Sequence, residues 1–534
     1  GIKAKPIGFY FLKTGQALRA TLNNSDFYVD IRSRRILRKE EVEFSPASEE
    51  VQELYIRHDR ETHSVYRTKD SSLLYTFIPL DSTDYFTIIP TGYYMCTPGA
   101  TKKLHYVNKD LQVISFEQLD LRYNRPDKVL EYIGYKDSLL IKAYQRAYYK
   151  RIKRQGLDTM VFRAGYEVPV VSILNERQLG TVTSAKTISL HIKAEDKTYK
   201  LDRLMVSIND VPVFGSKGIS LTDRKKETLD TTISVELEQG QNLIRVSVLN
   251  SNGIESYQQP RVIYQRSEAS PGKMVFIGIG IDHFRDSLND LRYSVKDIRD
   301  LAGMLQHKHQ GELVIDTIFN EQVTVKNISA LKKKLKQTGV NDKIIIAYSG
   351  HGLLSKEFDY YLSTYGVNFQ QPSENGLPYE QLEGLLDSIP ARKKLLLIDA
   401  CHSGEVDKEE LQRMNNMSDS LHISRGGITV AYKEEGHLGM KNSFELMQNL
   451  FANVGKTTGA TIISAAGGTQ FALEKGDLQN GVFTWSILKA MKDQTRLKIS
   501  TLKTFVSQEV EKITLGMQKP TYRSENAGTD WELY

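Results

Sequence analysis

Apolar and polar positions follow three different rhythms along this chain. From Gly1 to about Val107 short apolar stretches are broken by turn residues. The run LLYTFIPLDSTDYFTIIPTGYYM is rich in Tyr, Phe, Ile and Thr and is interrupted at Asp81-Ser82, Pro90 and Gly92, which predicts strands and turns. From about Ser115 to Gln155 the rhythm turns helical. In RPDKVLEYIG, Pro126 suits a first helical turn and Gly134 suits the end. A second helix is predicted over LLIKAYQRAYYKRIKRQG, with Leu140, Ala143, Ala147 and Ile152 on one stripe. From about Val168 to Tyr264 strict alternation returns in KTISLHIKAE, LMVSINDVPVF, TTISVELEQ and NLIRVSVLN, separated by turns at Gly240–Asn242 and Ser251–Gly253. After Lys273 the grammar changes again. MVFIGIGI, IIIAYSG, KLLLIDA and TIISA are unbroken apolar runs, as parallel strands covered on both faces require. Helical patterns lie between them: SVKDIRDLAGMLQ, NISALKKKLKQTG, LEGLLDSI, GVFTWSILKAM and LKTFVSQEVEKI.

These rhythms predict a multidomain chain. Residues 1–107 form a β-rich region and 108–165 a helical connector. Residues 166–265 form an immunoglobulin-like β-sandwich. The polar stretch QRSEASPGK supplies a linker at 266–272, and 273–534 form an α/β sandwich on a mostly parallel sheet with helices on both faces. A length of 534 residues exceeds what one core supports, in keeping with several domains.

Composition changes this picture little. Apolar residues make up 40 % and charged residues 25 %, and the net charge of +6 is small for the length. It gives no reason to expect nucleic acid or an anionic membrane as partner. The basic, tyrosine-bearing run from Lys142 to Arg154 reads as a solvated helix face. No apolar run approaches transmembrane length. The two cysteines, Cys96 and Cys401, are too few for a disulfide framework and fit a reducing, cytoplasmic setting. Cys96 reads as a small buried residue of the β-rich region. The chain begins without Met and without the layout of a signal peptide, and reads as a piece of a longer protein.

The chemistry concentrates in two motifs, each at the end of a buried strand: Tyr348-Ser349-Gly350-His351-Gly352 and Asp399-Ala400-Cys401-His402-Ser403-Gly404. Parallel strands bring their carboxyl ends to one edge, where ligands bind in open α/β sheets. Alternation predicts that Asp399 leans with Cys401, and Ser349 with His351. Amide hydrolysis by a thiol needs a thiolate, a proton donor for the leaving amine and donors for the oxyanion. Cys401 supplies the first and His351 the second. The backbone amides of Gly352 and Cys401 are candidates for the third. No Cys/His spacing suits a metal. Gly455-Lys456-Thr457 lacks the earlier glycine of a phosphate loop, since position 450 is Leu.

SGHG followed by DACHSG resembles the paired motifs of peptidase family C14, the caspases and metacaspases of clan CD. The resemblance covers about Lys273 to the C-terminus and extends to YSVKDIRDLAGML, SAAGGTQFALE and NGVFTWSIL. Asp399-Ala-Cys401-His-Ser-Gly is closer to metacaspases and bacterial caspase homologues than to animal caspases. The resemblance implies a Cys401–His351 dyad. It also implies an acidic first pocket made by Asp297, Ser349 and Asp399, taking protein or peptide substrates with Arg or Lys at the cleaved position. The stretch from Glu405 to Gly459, with Lys408, Arg413, Arg425 and Lys433, corresponds to the linker whose self-cleavage activates a zymogen in such enzymes. Calcium activation often accompanies the family, but FDYYLSTYGVNFQQPSENG holds one Asp where an acidic cluster is needed. No cofactor is therefore called, and calcium stays open. LLYTFIPLDSTDYFTIIPTGYYMCTPGA resembles the last blade of a β-propeller that precedes bacterial caspase domains. The β domains are expected to bind a regulatory protein or restrain the peptidase.

Two other functions fit the same motifs. One is a non-catalytic interaction protein on a caspase fold. The other is a clan CD enzyme that transfers rather than hydrolyses amides, as legumain-like enzymes can.

Overall fold

A computed structural model describes the chain apart from residues 1–8, 12–16, 23–24, 31–35, 38–53, 60–61, 82–83, 98–99, 101–102, 108–112, 137, 155, 158–161, 163–166, 225, 267–271, 356–358, 401–422, 425–457, 466–473, 476–477, 517 and 525–529. The chain divides into two units, Gly1–Tyr148 and Tyr149–Tyr534.

In the first unit each strand pairs with its sequence neighbour. Phe9–Phe11, Ala17–Leu22, Ser25–Asp30 and Ile36–Leu37 form one antiparallel meander. Leu54–Asp59, Thr62–Arg67, Leu73–Pro79, Tyr85–Ile88 and Tyr94–Cys96 form another. Cys96 is buried there. The helix Pro126–Ile133 starts on its proline and ends at Gly134, whose φ of 78° lets its amide reach the carbonyls of Glu131 and Leu130. The helix Ser138–Arg154 follows. Tyr144 and Tyr148 are buried on its apolar stripe, and only Tyr149 of the three tyrosines is exposed. The face read as solvated is therefore narrower than its sequence, because two rings belong to the packing side.

The second unit opens with two facing sheets. One joins Val170–Ile173, Thr187–Glu195 and Thr228–Glu236. The other is built on Leu201–Ile208, Gly240–Asn250 and Gln259–Gln265. Leu190, Ile192 and Val235 from the first meet Leu204, Val206, Ile244 and Val246 from the second in one core. These are the inward positions of the alternating runs.

The remainder is a six-stranded mixed sheet, counted among the described residues. Its strands are β1 (Met274–Gly280), β2 (Leu313–Phe319), β3 (Lys343–Ser349), β4 (Lys393–Asp399), β5 (Thr461–Ser464) and β6 (Thr521–Ser524), in the order β2-β1-β3-β4-β5-β6. All pairs are parallel except β5 with β6. Helices α1 (Ser294–Lys308), α4 (Val482–Asp493) and α5 (Ile499–Ile513) cover one face, burying Ile298, Leu301, Phe483, Ile487, Leu502 and Val506 against Ile345, Ala347, Leu395 and Leu397. Helices α2 (Val325–Leu335) and α3 (Tyr379–Gly384) cover the other, meeting Ile344, Ile346, Leu396 and Ile398. Strand periodicity thus sorts the apolar runs onto both faces. α3 ends earlier than LEGLLDSI predicts. The Lys332 ammonium donates to the carbonyls of Gly384, Leu385 and Asp387 and caps it there.

Two glycines in β1 decide where α1 lies. A β-carbon at Gly278 would collide with Ile298 Cγ2, and one at Gly280 would lie 2.9 Å from the Ser294 carbonyl oxygen. Without side chains there, α1 sits close on the sheet and brings Asp297 to its edge.

The β-sandwich seats on the amino ends of β3, β4 and β5. Ser216 donates to Asp387 from its amide (2.8 Å) and hydroxyl (3.1 Å), and the Gln239 amide donates to Asn341 Oδ1 (3.0 Å). Buried Arg392 donates to the Glu236 carbonyl and to Asn242 Oδ1. Gly459, with φ of 70°, lies against Val211, whose Cα would stand 2.7 Å from a β-carbon at that position.

Candidate functional site

Register places the two motifs side by side. Gly280, Ser349 and Asp399 occupy one row across β1, β3 and β4. The row is closed beyond the strands by the Gly350 amide donating to the Asp399 carbonyl (3.1 Å) and the Ile281 amide donating to the Ser349 carbonyl (3.0 Å). His351 and Cys401 each follow this row by two residues. Cys401 to Gly404, with Lys408, Arg413, Arg425, Lys433 and Gly455-Lys456-Thr457, lie outside the described residues.

His351 is buried. Its ring packs against Phe284 (centroids 5.3 Å apart) and edge-on to Phe369 (5.5 Å). Nε2 lies 2.8 Å from the carbonyl oxygen of Asn289. A carbonyl only accepts, so Nε2 carries the proton and Nδ1 keeps the lone pair. Burial pushes the imidazole below its ordinary value, so the neutral form is favoured. The Asn289 turn is itself tied down: Asn289 donates to Asp286 from both amide and side chain (3.1 Å each). The neighbouring Asp290 accepts from the Phe284 amide at 2.8 Å.

The His351 ring does not lean with Ser349. Its aromatic neighbours Phe284 and Phe369 belong with the core on the α2–α3 side, whereas Ser349 faces α1. Strand alternation ends at Gly350. No side chain fits there, since a β-carbon would meet the Tyr348 hydroxyl at 2.6 Å and Ile281 Cγ2 at 2.7 Å.

On the other side of the row the two acids converge. Asp297 is buried in the first turn of α1. Its Oδ1 accepts from Asn480 Nδ2 (2.9 Å) and the Gly481 amide (3.1 Å), and its Oδ2 accepts from the Ser349 hydroxyl (3.1 Å). Asp399 Oδ2 accepts from the amide (3.2 Å) and hydroxyl (2.7 Å) of Thr484. Gly481 stands between them: its β-carbon would lie 2.6 Å from Asp399 Oδ2 and 3.2 Å from Asp297 Oδ2. Burial, and then the charge of Asp399, hold the Asp297 carboxyl well above the usual carboxylate range. Both acids draw on the amino end of α4, whose free amides and dipole favour negative charge. The structure therefore brings Asp297, Ser349 and Asp399 into one cluster.

Asn480, Gly481 and Thr484 were missed as site residues. Their signal was available in NGVFTW, where a glycine precedes an apolar helix and a threonine sits in its first turn. Gly352 begins the short strand Gly352–Leu354, paired with Tyr360–Leu362. Among the described residues no cluster of three or more His, Cys, Asp or Glu could hold a metal ion. None of the described helices is long and apolar enough to cross a membrane.

Comparisons with known proteins bear on the carboxyl half of the chain. A family model described as the caspase domain of peptidase C14 matches residues 274–530. Metacaspase-1 of Meyerozyma guilliermondii is 27 % identical over 268 residues, which cover 43 % of this chain and 64 % of that protein. The chain thus spans less than two thirds of that relative's length. Among solved structures, a protein of Geobacter sulfurreducens is 16 % identical, with a TM-score of 0.33, covering 47 % of this chain and 93 % of that one. Caspase-1 of Spodoptera frugiperda is 13 % identical, with a TM-score of 0.30, covering 48 % and 87 %. At such scores the structural likenesses carry no weight beside the family match.

Proposed function

From the membership of residues 274–530 in the caspase and metacaspase family of C14 peptidases, we propose that this chain is a cysteine endopeptidase that cleaves after Arg or Lys, with Cys401 as nucleophile and His351 as base. The observation that carries it is the register: residues 351 and 401 each stand two beyond the paired row Ser349–Asp399. His351 Nδ1 takes the proton of the Cys401 thiol while Nε2 stays bound to Asn289. The thiolate attacks the scissile carbonyl, and the amides of Gly352 and Cys401 receive the oxyanion. His351 then gives the proton to the leaving amine. Water, deprotonated by the same nitrogen, releases the acyl group.

The buried carboxylates of Asp297 and Asp399, with Ser349, support a basic side chain in the first pocket. A charged hydrogen bond there is worth roughly 1.5–3 kcal/mol. We read 1–107 as a β-rich region, 108–165 as a connector, 166–265 as an immunoglobulin-like sandwich, 266–272 as a linker and 273–534 as the peptidase. Self-cleavage within 405–459 and a cytoplasmic setting complete the proposal.

A fluorogenic screen with Arg, Lys or Asp at the cleaved position, with and without calcium and against Cys401→Ala, tests it. Turnover after Arg and Lys that vanishes in Cys401→Ala is expected. Cleavage only after Asp would refute the pocket, and turnover that survives in Cys401→Ala would refute the nucleophile.

A further inference from the structure

Alternation along β3 would send His351 to the face of Ser349, yet its ring lies among Phe284 and Phe369. Something must hold the backbone of residue 351 in its turned position. Two buried hydroxyls do so. The His351 amide donates to Ser363 Oγ (3.0 Å), and the Ser363 amide donates back to the His351 carbonyl (2.9 Å). Ser363 thus grips both ends of residue 351, directly across the hairpin that begins with Gly352 opposite Leu362. The Tyr348 hydroxyl lies 2.8 Å from Ser363 Oγ, 2.9 Å from the Ser363 carbonyl and 3.3 Å from the His351 carbonyl.

One arrangement of protons satisfies all of these contacts. Ser363 Oγ accepts from the His351 amide and donates its own proton to the Tyr348 oxygen. The Tyr348 hydroxyl then donates onward to the Ser363 carbonyl. Ser363 and Tyr348 are buried, so no water replaces a lost partner.

We propose that Ser363 and Tyr348 are positioning residues for the base, holding residue 351 so that Nε2 meets the Asn289 carbonyl and Nδ1 is presented to the nucleophile. The inference rests on His351 being the base. Neither residue touches substrate. Removing one hydroxyl loosens the turn and misplaces Nδ1, which slows proton transfer without changing how substrate is held.

Tyr348→Phe keeps the ring in the core and removes only the hydroxyl; Ser363→Ala removes the acceptor of the His351 amide. Each variant is assayed as full chain on an Arg-directed fluorogenic substrate, with the pH dependence of Cys401 alkylation by iodoacetamide. The alkylation profile reports how strongly the base draws the thiol proton. The expected result for each is a fall of about tenfold in kcat, which corresponds to about 1.4 kcal/mol, with KM unchanged. The alkylation profile is expected to move toward that of His351→Ala. A lower melting temperature with kcat and alkylation profile unchanged would overturn the proposal and leave the hydroxyls as core hydrogen bonds. If His351→Ala itself alkylates as wild type does, the base assignment fails first, and the positioning role with it.

Discussion

Gly481→Ala adds one methyl group between the two acids. The backbone tolerates it, since φ is −57° and ψ 139°. The new carbon would stand 2.6 Å from Asp399 Oδ2 and 3.2 Å from Asp297 Oδ2. Asp399 must retreat by about 0.8 Å to regain van der Waals contact. Its bonds from Thr484, at 3.2 and 2.7 Å, leave little slack. At least one charge-assisted contact to a bound basic side chain is lost, at roughly 1.5–3 kcal/mol. The expected fall in kcat/KM on an Arg substrate is therefore about 10- to 150-fold. Alkylation of Cys401 by iodoacetamide, which needs no pocket, should stay at the wild-type rate. Equal kcat/KM in variant and wild type, in a folded variant, would refute the assignment of the acids to substrate. Equal losses in kcat/KM and in alkylation would instead show that the methyl disturbs the dyad.

Asp297 gives a pH prediction. Its folded carboxyl binds the proton more tightly than the unfolded one, with its ordinary value of 3.8. Its stabilising contribution is full below that value and is lost as pH rises through the raised folded one. Asp297→Asn should therefore raise the melting temperature at neutral pH and flatten its decline with rising pH; a lower value at neutral pH counts against this. His351 runs the opposite way, since its folded affinity is depressed below the ordinary 6.5. Stability from the neutral ring is full above that value and is lost as pH falls through the depressed one. The acid limb of kcat/KM should accordingly lie below 6.5 in a pH–rate profile, and a limb above it would contradict the burial argument. Gly278→Ala sets a β-carbon against Ile298 and should cost roughly 1–3 kcal/mol in urea unfolding. An unchanged midpoint would show that α1 does not depend on that close approach.

The parallel strands were legible because burial on both faces leaves unbroken apolar runs, and β1, β3, β4 and β5 fall where those runs stand. Asp297, Ser349 and Asp399 were named only through the resemblance of their motifs to family C14, and strand geometry alone did not point to Asp297, which lies on a helix. The orientation of His351 was not legible. It depends on Ser363, twelve residues away across a hairpin, and on the Asn289 carbonyl, which has no sequence signature of its own. Asn480, Gly481 and Thr484 carry a local signal in NGVFTW, but the acids they serve could not be read from it. They act on acids more than eighty residues away, and a pairing across that separation leaves no periodic trace.

The sandwich meets the sheet along the amino ends of β3, β4 and β5. In sequence, residues 401–457 separate β4 from β5. The outgoing strand is gripped by the sandwich through Asp387 and Arg392, and the returning one rests on it at Gly459. The sandwich thus holds the amino ends of both strands, β4 before this segment and β5 after it. A cut within the segment would make two polypeptides, yet the β4–β5 pairing and the sandwich under their amino ends would hold the two together. The row of Ser349 and Asp399, at the opposite ends of β3 and β4, would keep its register after the covalent connection between the two pieces had gone.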